Sequence, residues 1–220
     1  MQIVNIDSKI CDLLSNDPTL ITVINRFGIT LGVGDKSIAR ICEEKNIDKT
    51  FLTTILNTFI SEDYFPQEVL SAFSAEQIIG YLNKTNAYYE HYQIPNIERH
   101  FNFLIAKSSP ENSSLAIIYK FFSEVKAELL NRINDDRNTL FPTIQQLESQ
   151  NGDKEIEIKQ NCLSHEDSIE DKISDLLNML IMHISGNYDS NLAHAVIFAL
   201  YGLKKDIKQN NRIRERILYP

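Results

Sequence analysis

Six polar side chains interrupt helical stripes that are otherwise apolar: Asn86, Arg132, Asp136, His165, Asn210 and Arg214. Their types limit the chemistry they can do. Asp136 and His165 are good metal donors, whereas an amide is a weak ligand and a guanidinium stays protonated with no lone pair to offer. Two guanidinium groups in one layer would also repel a divalent cation. The economical reading is a self-satisfied network in which Arg132 and Arg214 fork onto Asp136 and Glu90, their charges standing in the electrostatic place of metal ions. If a metal is held at all, His165 and Asp136 are its donors, with Glu90 and His91 as additional candidates. His91 lies five residues from Asn86, more than a right angle off that stripe, so it joins only if the helix is rotated. No arrangement of Ser, His and Asp suggests nucleophilic hydrolysis, and no catalytic residue is assigned. No cofactor is expected on this reading; the alternative is iron, as a di-iron centre with rearranged ligands.

The elements that must position these residues are long amphipathic helices with apolar residues three and four apart. Ser74-Ala75-Glu76-Gln77 is a capping box that opens the first, whose stripe is Ile79, Leu82, Asn86 and Tyr89. A second opens near Pro110 and carries Ile118, Phe122, Val125, Leu129, Arg132, Asp136 and Leu140. A third opens near Ser164, with His165, Ile169, Ile173, Leu176, Leu180 and His183. The fourth opens near Ser190, with Val196, Ala199, Leu203, Ile207, Asn210, Arg214 and Ile217. Up-down-up-down packing brings the six polar positions into one cross-section and leaves His183 at the opposite rim. The charged stretch from Glu148 to Gln160 reads as a loop.

The fold class is all-α: a small helical N-terminal domain over 1–62, a linker over 63–75 and an antiparallel four-helix bundle over 76–220. In the first domain Asp7-Ser8, Asp17-Pro18 and Asp35-Lys36-Ser37 are helix starts. The glycine-punctuated segment from Phe27 to Asp35 lacks the preceding strand and the Lys-Ser/Thr ending of a phosphate loop and reads as a turn.

Composition narrows the partners. The chain has 43% hydrophobic and 24% charged residues, ordinary for a globular protein, and a net charge of −8. Clustered cations for a nucleic-acid backbone are missing outside Lys204–Arg216, which reads as a solvated helix end complementing its dipole. No apolar run is long enough to span a bilayer and no signal segment is visible, so the expected setting is the cytoplasm with no membrane partner. Three widely spaced cysteines, Cys11, Cys42 and Cys162, form no zinc or disulfide pattern and read as reduced.

Leu140-Phe141-Pro142 after the second helix, Thr85 with Ile94-Pro95 in the first, and His165-Glu166 opening the third carry a family resemblance over nearly the whole chain. The bundle resembles the hemerythrin-like domain of bacterial iron–sulfur cluster repair di-iron proteins, and the N-terminal segment is similar to the small domain preceding it there. The resemblance implies metal ligands at Asn86, Arg132, Asp136, His165, Asn210 and Arg214. Only His165 is retained and Asp136 conservatively changed. The adjacent Cys pair of the family's first domain falls on Gly32 and Val33, while Cys42 matches a family cysteine. The expectation is a degenerate relative acting as a non-catalytic interaction or regulatory module with an unidentified protein partner, linked to iron, nitrosative or oxidative stress. Its alternative is a metal-binding repair or oxygen- and NO-responsive protein with a rearranged ligand set.

Overall fold

A computed structural model describes residues 3–64, 66, 69, 72–109, 113–148 and 169–214. His165, Cys162, the loop expected after Glu148, and the expected helix openings at Pro110 and Ser164 lie outside the described residues. Among the described residues the regular elements are all helices: α1 (Ile10–Asn16), α2 (Leu20–Arg26), α3 (Ile38–Lys45), α4 (Lys49–Ile60), α5 (Ala75–Tyr88), α6 (Ile94–Ala106), α7 (Ser113–Asp135), α8 (Phe141–Glu148), α9 (Ile169–His183) and α10 (Ser190–Ile213). Two π-helical turns, Tyr89–Gln93 and Asp136–Leu140, join α5 to α6 and α7 to α8. None of these helices is long and apolar enough to cross a membrane.

The chain divides into two compact units, Met1–Lys84 with Arg212–Leu218, and Thr85–Asn211. The division falls inside α5 and in the last turn of α10. In the first unit, Ile10, Ile24, Ile38, Leu52, Ile55 and Ile78 are fully buried. Ser37 caps α3 by accepting from the Arg40 N–H, and Asp48 caps α4 by accepting from Thr50 and Phe51. The expected cap at Asp7-Ser8 is not formed: α1 has Lys9 in the N-cap position, and the Ser8 hydroxyl bonds Asn5 instead. Asn57 reaches back to the N-terminal segment, accepting from Val4 N at 2.8 Å and donating to Val4 O at 2.9 Å, as a neighbouring strand would. The glycine segment is a turn, with Gly28, Gly32 and Gly34 all at positive φ.

Arg212 shows what the C-terminal basic stretch does in this unit. It is buried, and its guanidinium donates to the carbonyls of Thr58 (3.1 Å), Ser61 and Glu62. Thr58 and its successors are the orphan carbonyls at the C-terminus of α4, where a cation also meets the negative dipole end. The charge therefore complements a different helix from its own, which corrects the reading of a solvated end.

The second unit has one apolar core running from Tyr89 to Ile207. Side-chain links fix the direction of its neighbours. Glu98 pairs with Lys126 and Phe101 stacks on Phe122, so α6 and α7 are antiparallel. Glu128 pairs with Lys172 and Ser114 bonds Ser185, so α7 and α9 are antiparallel too.

The π turns follow from the spacing of the apolar residues. An α-helix rotates about 100° per residue, so inward positions recur every three or four. Asn86 and Tyr89 are buried, and so are Ile94, Ile97, Phe101 and Leu104. Between Tyr89 and Ile94 the interval is five. Ile133 and Asp136 are buried, and so are Phe141 and Ile144, again with an interval of five between Asp136 and Phe141. A straight α-helix would turn each following stripe about 100° out of the core. One π turn absorbs the extra residue and restores the phase. It also accommodates Pro95 and Pro142, which lack the N–H an α-helix needs and crowd the carbonyl four residues back. One sequence-based expectation is corrected here: Leu140 is only half-buried, and Phe141 takes the inward place beyond Asp136.

Candidate functional site

Close to the two π turns the core of the second unit becomes polar. Asn86 is the last polar position of the α5 stripe, and its Nδ2 donates to Asp136 Oδ2 at 2.9 Å. Asp136 opens the second π turn and is 1% exposed. One turn after Asn86, the hydroxyl of Tyr89 accepts from Asn210 Nδ2 at 2.8 Å. The same Nδ2 lies 2.7 Å from the Asp206 carbonyl and 3.1 Å from Asp206 Oδ1. Arg132 Nη2 donates to Asn211 Oδ1 at 2.7 Å. Helices α5, α7 and α10 are thus tied at one level by amides, carboxylates and a phenol.

Three of the six residues expected in this layer are brought together in the core: Asn86, Asp136 and Asn210. Arg132 stands at its shoulder, half-buried, because the inward place between Leu129 and Asp136 is taken by Ile133. Arg214 belongs to the first unit, and His165 is not described. Where a fork of Arg132 and Arg214 onto Asp136 and Glu90 is expected, Asp136 accepts from Asn86, and Arg137 pairs with Glu90 at 2.6 Å. His91 is exposed, with Nε2 3.7 Å from Glu90 Oε2, so neither proposed additional donor enters the layer. His183 is exposed at the end of α9. Sequence reasoning missed Asp206 and took Tyr89 only as an apolar residue. Asp206 stands four residues before Asn210 and three after Leu203, the helical spacing that would have found it.

Amide N–H groups and carboxylates are paired in this layer. Each of two buried carboxylates, Asp136 and Asp206, faces an amide N–H rather than a second carboxylate. Asn210 Oδ1 is buried without a hydrogen-bond partner. At the surface, the Arg137 hydrogen bond holds the Glu90 carboxyl below its ordinary range. That pair's contribution is present above the ordinary glutamate pKa and fades as the pH falls through the lowered one. In the first unit, burial pushes the Cys42 thiol up, with Asp48 adding to the effect. This suppresses the thiolate that redox chemistry would require.

A di-iron centre in a helical bundle takes several inward Glu and His donors. Among the described residues no three His, Cys, Asp or Glu side chains come together as a metal ion would need. The donors that do converge include two amides already donating to the carboxylates, which does not fit that group. Comparison with protein-family models, curated proteins and solved structures returned no match.

Proposed function

We propose that this chain is a hemerythrin-like, antiparallel four-helix-bundle protein with a small helical N-terminal domain, in which a hydrogen-bonded layer stands where relatives hold a di-iron centre. On this reading it acts as a non-catalytic interaction or regulatory module in the cytoplasm, engaging a protein partner in iron, nitrosative or oxidative stress. The observation that carries it is the pairing of Asn86 Nδ2 with Asp136, an N–H aimed at the carboxylate that would otherwise ligate. The unpartnered Oδ1 of Asn210 favours the alternative, a metal centre with rearranged donors. Elemental analysis of protein purified from an iron-supplemented culture separates the two. The expected result is well under one equivalent of iron, manganese or zinc per chain; two tightly held ions would sink the reading.

A further inference from the structure

The two π turns of the second unit are matched position by position. Tyr89, Ile94, Pro95 and Ile97 have the same spacing as Asp136, Phe141, Pro142 and Ile144. In both, an inward residue opens the π turn, an apolar residue five later re-enters the core, and proline follows it. The second residue of one turn, Glu90, is bonded to the second residue of the other, Arg137, at 2.6 Å. Beneath this half-exposed pair lies the buried bond from Asn86 to Asp136. Gln93, the last residue of the first turn, accepts from the Tyr88 hydroxyl at 2.8 Å and donates to the Ala199 carbonyl on α10 at 3.1 Å.

A π turn has poorer backbone hydrogen bonding than an α-helix and is a common place for a helix to change register or open locally. Here the second turn is bonded at the surface to Glu90 of the first turn and in the core to Asn86, one helical turn ahead of it, so a change of register in either turn pulls on both bonds. We propose that the two π turns form one coupled joint, latched at the surface by Glu90 and Arg137, that governs whether the buried Asn86–Asp136 pair stays closed. Any partner group that takes Glu90 or Arg137 from its mate is then felt inside the polar layer.

The test is backbone hydrogen exchange of the full-length chain, read in peptides covering 89–94 and 136–141. Glu90→Gln and Arg137→Gln each remove one exposed charge and should leave the fold intact. Each is expected to speed exchange in both turns by a similar factor, about two- to fivefold, the range open to an exposed ion pair. Glu98→Gln serves as the control, because it breaks a comparable pair with Lys126 between the adjoining helices α6 and α7, away from the turns. It should leave both turns unchanged. A change confined to the turn carrying the substitution, no change in either, or an equal change with Glu98→Gln would each overturn the proposal.

Discussion

Deleting Ala127, an exposed residue in the middle of α7, should unfold the second unit, whereas deleting Tyr92, also exposed, together with Pro95→Ala should not. The contrast follows from helical phase. Removing Ala127 turns one half of the inward stripe about 100° away from the core. The chain must then expose either Leu115, Ile118, Phe122 and Val125 or Leu129, Ile133, Phe141 and Ile144, all buried now. At roughly 1.5–3 kcal/mol for each large side chain the loss is about 6–12 kcal/mol, comparable to the whole stability of a typical domain. Tyr92 lies within a π turn that already carries one residue too many. Its removal places Tyr89 and Ile94 four apart, and Pro95→Ala lets α5 and α6 continue as one α-helix with both stripes inward. Circular dichroism and urea denaturation decide the matter. A folded Ala127 deletion, or an unfolded Tyr92 deletion with Pro95→Ala, would contradict the phase account.

The stripes themselves were legible in the sequence because period is the strongest signal an amphipathic helix leaves. The stripes from Ile79 to Tyr89, Ile118 to Leu129 and Ile169 to Leu180 are buried throughout, and the fourth stripe is buried at Val196, Leu203, Ile207 and Asn210, but Leu200 takes the inward place expected of Ala199, which is half-buried. What escaped was the change of phase. A stripe extended by threes and fours through Asp136 lands on Leu140, and nothing in the local period marks the prolines at 95 and 142 as following a widened turn. Partner choice in the layer was less legible still. It depends on which shoulder of α7 Arg132 occupies, and a shift of one residue, with Ile133 inward, sends the guanidinium to Asn211 instead of Asp136. Asp206 was readable but unread. The role of Arg212, capping α4 from more than 150 residues away, could not be read from any local pattern.

Asp136→Ala is expected to cost on the order of 2–4 kcal/mol. The carboxylate is buried and accepts from Asn86, so its loss strands a buried N–H and leaves a small void. Replacing both partners, Asn86→Leu with Asp136→Leu, should cost less than the sum of Asn86→Leu and Asp136→Leu, since the Asn86 donor goes together with its acceptor. Chemical denaturation of the single and double variants reads this directly. A cost below about 1 kcal/mol for Asp136→Ala would mean that the pair contributes no more than an exposed contact.

We propose that amide–carboxylate hydrogen bonds, Asn86 to Asp136 and Asn210 to Asp206, occupy the layer in place of a metal. Ferrous iron titrated anaerobically into the purified full-length chain, with the thermal midpoint recorded at each concentration, tests it most directly. A ligand held by the folded state alone raises stability by about 2.7 kcal/mol at a hundredfold excess over its dissociation constant, a shift of several degrees. The midpoint should stay where it is from the chelated sample to the highest iron concentration. A rise that grows with iron and is reversed by chelator would show a metal-binding bundle instead.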